Sequence, residues 1–128
     1  MTVAMEQDLR AELADLRVRL PDVTGALVAT VDGMLVVHET EGLQPETLAA
    51  MSAAQLGLGR QFAMTASQGE FREAVTRSAD GCLAVFAAGD GALLTVFAGA
   101  QLNVGRLYHE ARPVAARVGA LLSGGASS

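Results

Sequence analysis

The chain has 128 residues, of which 51% are hydrophobic and 18% charged, and its formal net charge is −5 at pH 7. This length suits one domain with a single core, and the composition excludes a disordered chain. Nucleic-acid binding is excluded as well, because it needs clustered Lys and Arg, whereas the only basic residues besides two His are nine Arg. We expect residues 1–122 to form one domain and residues 123–128, SGGASS, to form a disordered tail.

The first half of the chain predicts two helices and a hairpin. Residues 5–20 carry leucines at helical spacing and are predicted to form a helix, which Pro21 terminates. Two apolar runs, VTGALVATV and MLVVHET, then flank Asp32 and Gly33, a pair typical of a tight turn between antiparallel strands. A second helix is predicted from about residue 45 to about residue 65, since a proline is favoured in the first turn.

The second half predicts three strands and a last helix. GEFREAVTRS, residues 69–78, carries charges on both faces, as is typical of an edge strand. Two apolar strands follow at 82–88 and 92–98, each after an Asp-Gly pair. The final helix, from about 102 to 122, contains Pro113, which is predicted to kink it or shift its backbone bonding. The order αββαβββα predicts an α/β protein with a mainly antiparallel five-stranded sheet.

The glycines between residues 79 and 100 are interpreted as turns rather than as a phosphate cradle. A phosphate loop would need a terminal Lys and a following helix, and a dinucleotide loop would need GxGxxG, neither of which is present. The other polar residues show no catalytic pattern either. The two histidines, His38 and His109, lack zinc-ligand spacing, and no serine lies in a GxSxG motif: Ser52, Ser67 and Ser78. Each of three aspartates precedes a glycine in a predicted turn: Asp32, Asp80 and Asp90. We therefore predict no enzymatic activity, no cofactor and no metal.

Cysteine usage and the N-terminal residues indicate the cytoplasm. Cys82 is the only cysteine, so no internal disulfide forms, and its apolar strand favours a buried, inert thiol. The first residues, MTVAMEQDLRAEL, carry acids where a signal peptide needs basic residues, and no stretch is apolar enough to span a bilayer. We predict a cytoplasmic protein without membrane insertion.

The middle helix lacks a solvent face. Between Thr47 and Gly69 the only charged residue is Arg60, although a helix that covers one side of a sheet normally presents a charged stripe to water. A second copy of the same helix, crossing closely at Ala53 and Gly57, would cover it in a symmetric dimer. The alternative is a merely alanine-rich helix without a partner.

The neighbouring edge strand supports self-association. Arg72 or Arg77 of one chain can meet Glu70 or Glu73 of the other across a two-fold axis. Arg60 has a separate hypothesis, that it reaches into a partner's nucleotide site as an arginine finger. The predicted dimer interface comprises Leu48, Met51, Ser52, Ala53, Gln55, Gly57, Phe62, Phe71, Glu73 and Val75.

Three segments carry a family resemblance over roughly residues 9–120: PDVTGALVATVDGMLVV, EFREAVTRSADGCLAVFAAGDGALLTVFA and NVGRLYHEARPVAARV. They resemble the Roadblock family, which is related to dynein light chains. The resemblance implies a profilin-like α/β/α sandwich that dimerises through its middle helix and third strand into a ten-stranded sheet. It also implies regulation or scaffolding of a Ras-like small GTPase, and bacterial members are often encoded beside such a GTPase and a sensor-kinase-like protein.

Two functions of different class follow. The first is a non-catalytic homodimeric module that binds and regulates or scaffolds a small GTPase. The alternative is a small-molecule sensor with a pocket between sheet and helix. Charge is also uneven, with a net of −6 in residues 1–50 and +1 in residues 51–128, which can orient a protein partner.

Overall fold

The computed structural model describes the backbone of residues 1–127 and the side chains of residues 1–124. Its elements are α1 (Val3–Arg19), β1 (Val23–Thr30), β2 (Leu35–Glu39), α2 (Pro45–Thr65), β3 (Glu73–Ser78), β4 (Gly81–Ala88), β5 (Ala92–Gly99) and α3 (Val104–Ser127). The predicted order and number of elements are confirmed. Within residues 1–127, no helix combines the length and the apolarity needed to cross a membrane.

The five strands form one sheet in the order β2-β1-β5-β4-β3, and every neighbouring pair is antiparallel. β3 lies at an edge, as its mixed charges predict, but it begins at Glu73, four residues later than the pattern indicates. Gly33 adopts a φ of +94° in the β1–β2 turn, a conformation that glycine accepts without strain. The Asp-Gly hairpin prediction is therefore confirmed.

Three layers result, with α1 and α3 on one face of the sheet and α2 on the other. Among the described residues, the α1/α3 face holds a core of 21 buried apolar residues, and the α2 face holds one of seven. Seven consecutive residues of β5 are buried, because helices cover both faces of this central strand. The predicted α/β/α sandwich is confirmed.

The last helix follows its predicted stripe and runs further. Leu107, Ala111, Val114 and Val118 are fully buried against the sheet, while Pro113 lies on the exposed side within an uninterrupted helix. The helix extends to Ser127, beyond the predicted end near residue 122. Residue 128 of the predicted tail lies outside the described residues, and the division at residue 122 stays a prediction.

Candidate functional site

The flank of α2 that faces β3 is apolar and exposed. Met51, Leu58 and Phe62 are 62%, 59% and 66% exposed. They share one stripe with Gln55, since all four follow the helical spacing i, i+4, i+7, i+11. The side-chain amide nitrogen of Gln55 donates a 3.0 Å hydrogen bond to the Thr76 hydroxyl of β3, so this stripe points towards that edge strand.

One helix is too narrow for this face of the sheet. Five strands about 4.8 Å apart make a sheet about 20 Å wide, which is the width of two packed helices. The opposite face carries two helices, but this one carries α2 alone. The uncovered part lies at β3, where Thr76 and Ser78 are exposed.

The outer edge of β3 presents an open row of backbone groups. The amide of Ala87 in β4 donates to the carbonyl oxygen of Arg72 at 2.9 Å, and Glu73 stands opposite Phe86. Because hydrogen bonds alternate along an antiparallel strand, residues 72, 74, 76 and 78 bond to β4. The N–H and C=O groups of Glu73, Val75 and Arg77 therefore point outwards. We call this edge, together with Met51, Gln55, Leu58 and Phe62, the α2/β3 surface.

The opposite edge of the sheet is partly capped. A terminal nitrogen of Arg10, on α1, donates to the carbonyl oxygen of His38 in β2 at 3.3 Å. No side chain of residues 1–124 makes such a bond to the backbone of β3. An exposed strand edge invites pairing with another chain unless it is blocked. Of the two edges, β3 is the one left open for pairing.

Seven of the ten predicted interface residues lie on the β3 side of the molecule, in two groups. Leu48, Met51, Gln55, Phe62 and Phe71 lie on or beneath the flank of α2 that faces β3, since the ring of Phe71 packs against Gly59 of that flank. Glu73 and Val75 lie in the edge strand itself, with Val75 packed on the α1/α3 side.

Three predicted residues lie elsewhere on α2. Ser52 is only 5% exposed, and its hydroxyl accepts a 2.8 Å hydrogen bond from the Thr95 hydroxyl of β5. Ala53 faces the β1–β2 hairpin, where its Cβ lies 3.8 Å from the position that a Cβ on Gly33 would take. Gly57 follows one helical turn after Ala53 and so lies on the same flank. The flank that carries Ala53 and Gly57 points away from β3.

Leu58 belongs to the α2/β3 surface but was not among the predicted residues. Small residues permit a close helix crossing and therefore favoured Ala53 and Gly57 in the prediction, whereas in the fold Ala53 packs against a hairpin of its own chain and Gly57 has open space beside it. The spacing of Met51, Leu58 and Phe62, three large apolar residues in one stripe, is the signal that identifies this flank.

Glu73 already has a partner within the chain. Nε of Arg112, on α3, donates to Oε1 of Glu73 at 2.6 Å, and the Arg112 guanidinium lies 4.5 Å from the centre of the Tyr108 ring. The hydrogen bond to Glu73 is the main cause that raises the pKa of Arg112 above its ordinary value. This contact ties the edge strand to the last helix.

Several polar side chains are of the types that bind metal ions or take part in catalysis. Among the residues that the structure describes, no three His, Cys, Asp or Glu side chains are grouped so as to hold a metal ion. His38 lies 2.9 Å from the Thr40 hydroxyl, and Sγ of Cys82 donates a long 3.9 Å contact to the Gly99 carbonyl oxygen. Cys82 is half-buried rather than buried.

Arg60 has a structural role in this fold. Its two terminal nitrogens donate to the carbonyl oxygens of Gly89 and Asp90, at 3.1 and 3.3 Å, and so bind α2 to the β4–β5 turn. A guanidinium held in this way is not extended towards a partner, which disfavours the arginine-finger hypothesis.

Replacing Arg60 with methionine is expected to lower the free energy of unfolding by about 1 kcal/mol, because two carbonyl groups lose their donor. Urea denaturation at one fixed protein concentration measures this, with Gln61→Met on the exposed side of the same helix as the neutral control. If Arg60→Met unfolds like the unmodified protein, the two hydrogen bonds do not contribute to stability.

A groove of about 690 Å³ lies at the end of the α2/β3 surface. Its lining includes Gly59, Phe62, Glu70, Phe71 and Arg72. It lies beside the open edge rather than inside the core between sheet and helix. Phe62 belongs both to the lining of this groove and to the α2/β3 surface.

The architecture is that of the profilin-like sandwiches. Profilin II from Acanthamoeba castellanii matches with a TM-score of 0.56 and 15% identity, over 92% of this chain and 95% of that one. The sequence narrows this class, since the Roadblock/LC7 domain profile matches residues 9–98. The chain belongs to the Roadblock/LC7 family.

Solved structures agree with this assignment. MglB in a tetrameric arrangement matches with a TM-score of 0.86 and 18% identity, over 94% of this chain and 92% of that one. A Roadblock/LC7 domain from Streptomyces avermitilis matches with a TM-score of 0.79 and 26% identity, over 88% of this chain and 96% of that one. No curated protein sequence matches the chain.

Proposed function

We propose that the protein is a non-catalytic homodimer that binds and regulates or scaffolds a Ras-like small GTPase. The observation that carries the proposal is the α2/β3 surface, where an apolar helix flank adjoins an open strand edge. A second copy would continue the sheet through β3 and lay its own α2 beside the first, covering both features at once. This removes from water three large apolar side chains per copy, each worth about 1.5–3 kcal/mol when fully buried.

Membership of the Roadblock/LC7 family supports a regulatory role. Self-association is further supported by the tetrameric arrangement of the structurally similar MglB. The dimer would offer a GTPase one broad platform that neither copy has alone. A sensor-kinase-like protein is a second proposed partner, on grounds of family resemblance, and the cytoplasmic location stays a prediction.

Charge indicates how a partner would approach. On α1, Glu6, Glu12 and Asp15 are paired with arginines of the same chain, which reduces the field of the acidic half. Arg72 and Arg77 form no ion pair within residues 1–127 and lie at the β3 edge. Because this edge is the proposed seam between the two copies, we expect these arginines to steer the second copy, mostly through the association rate.

Capture of a GTPase tests the proposal. The immobilised protein is mixed with the Ras-like GTPase encoded nearest to its gene, loaded with GDP or with a non-hydrolysable GTP analogue. We expect capture in one nucleotide state to exceed capture in the other by about tenfold, because a regulator must distinguish the two states to shift their balance. Phe62→Glu, which is expected to dissociate the dimer, should abolish capture, and Met64→Glu should retain it.

The alternative, a small-molecule sensor, has only the open groove at residues 59–72 in its favour. An intact dimer that captures no GTPase in either state would overturn the GTPase proposal. Ligand screening by thermal shift would then test the groove.

A further inference from the structure

The arginines without an intramolecular partner both lie at one place in the fold. Seven of the nine form a hydrogen bond or an ion pair with a carboxylate or a carbonyl group: Arg10, Arg17, Arg19, Arg60, Arg106, Arg112 and Arg117. The guanidinium groups of Arg72 and Arg77 make no such contact with residues 1–127. Both flank or belong to β3, the open edge.

Glu73, at the same edge, can accept a further hydrogen bond. Its Oε1 accepts from Arg112, while Oε2 has no partner within residues 1–127. Glu73 and Arg77 are four residues apart, so their side chains leave β3 on the same face, with Val75 between them. A carboxylate with one oxygen that has no hydrogen-bond partner and a guanidinium that has no ion-pair partner among the described residues therefore stand on either side of Val75, on one face of the strand.

Strand geometry limits how two copies of β3 can pair. Only residues whose backbone groups point outwards can exchange hydrogen bonds, so Glu73, Val75 and Arg77 must face one another across a two-fold axis. Centring the axis on Glu73 or on Arg77 opposes like charges, which destabilises a pair. Centring it on residue 74 or residue 76 leaves one of the two charges opposite Val75.

We propose that two copies of β3 pair antiparallel with Val75 on the two-fold axis, so that Glu73 of each copy faces Arg77 of the other. The inference rests on the proposed homodimer and specifies its register. Only this register pairs both charges, and it does so twice.

This register has a consequence on each face of the sheet. On the α1/α3 face, Glu73 would accept from Arg112 of its own chain and from Arg77 of the second copy, which links α3 to the dimer seam. On the α2 face, Ala74 would lie opposite Thr76 of the second copy. These short side chains leave space above the seam for the two α2 helices.

A single-cysteine scan along β3 determines the register. Cys82→Ser first removes the only native thiol, and Ala74→Cys, Val75→Cys and Thr76→Cys are then made singly in that background. Residue 75 would oppose itself at a Cα separation of about 5.5 Å, within disulfide range. Residues 74 and 76 would each lie about 8 Å from their own copies, beyond that range.

We expect Val75→Cys to form the covalent dimer at least tenfold faster than either neighbour under mild oxidation. A maximum at position 74 or 76 would overturn the register while leaving the homodimer intact. A dimer by light scattering that cross-links at none of the three positions would show that the edges do not pair. If the unmodified protein is a monomer, the proposed function fails instead.

Charge exchange tests the register without relying on a cysteine. Arg77→Glu alone is expected to raise the dimer dissociation constant about tenfold, since each of two cross-strand pairs becomes repulsive. Adding Glu73→Arg together with Arg112→Glu should restore much of the affinity, because the cross-strand pairs and the contact between residues 73 and 112 all return with reversed sign. A triple variant weaker than Arg77→Glu, with its helices retained by circular dichroism, would overturn the proposed pairing.

Discussion

Replacing Phe62 with glutamate is expected to convert the dimer into a monomer. Phe62 is 66% exposed on the flank of α2 that faces β3. In the proposed dimer, the Phe62 rings of both copies would be buried. Losing about 1.5–3 kcal/mol per ring, and adding two like charges at the seam, should raise the dissociation constant by at least about 100-fold. Light scattering coupled to size-exclusion chromatography, at micromolar concentration, measures this directly.

Met64 supplies a matched control for this prediction. It is 68% exposed on the same helix, two residues further on, but it projects from the flank opposite to Phe62. Met64→Glu should therefore leave the dimer intact. Circular dichroism of both variants shows whether the helices are retained. Dissociation by Met64→Glu and not by Phe62→Glu would mean that the other flank of α2 forms the interface.

Replacing Gly119 with alanine is expected to lower the free energy of unfolding by about 1–3 kcal/mol. In α3, Gly119 packs directly on the end of β4, and an added Cβ would lie 2.8 Å from the Ala88 carbonyl carbon and the Gly89 amide nitrogen. Backbone atoms cannot rotate away as a side-chain end can, so α3 would have to shift from the sheet. Urea denaturation at fixed protein concentration measures the loss.

Gly57 is the corresponding control. It also lies within a helix, but an added Cβ would meet no atom within 4 Å. Gly57→Ala should therefore stabilise the protein by about 0.5–1 kcal/mol, because alanine loses less conformational freedom in a helix. Equal effects of the two substitutions would contradict the close packing of α3 on β4.

Much of the fold could be predicted, because patterns among residues close together in the chain determine its helices, its turns and its edge strand. The leucines of α1 and the apolar stripe of α3 recur at helical spacing, and their residues are buried where the spacing requires. The Asp-Gly pairs at residues 32 and 80 mark the β1–β2 and β3–β4 hairpin turns, and in the first of them Gly33 takes a φ of +94°, which favours glycine. The mixed charges of β3 indicate an edge strand, and the sheet order places it there.

The orientation of α2 could not be predicted in the same way. A helix that is apolar or small almost all round has no polar stripe, so periodicity does not identify the side that meets the sheet. The sequence pattern therefore placed Ser52, Ala53 and Gly57 at a dimer interface. In the fold, Ser52 is bonded to Thr95 of the sheet, and the Ala53 and Gly57 flank faces away from β3.

By itself, the sequence determined the element order and the edge position of β3, because each depends on residues close together in the chain, and its resemblance to the Roadblock family implied the three-layer class. The tertiary structure decided which side chains share the α2/β3 surface and which arginines remain without an intramolecular partner. Those facts depend on contacts such as Gln55 with Thr76 and Arg112 with Glu73, which join residues 21 and 39 positions apart. Contacts at such separations arise from the packing of whole elements, and no local pattern encodes them.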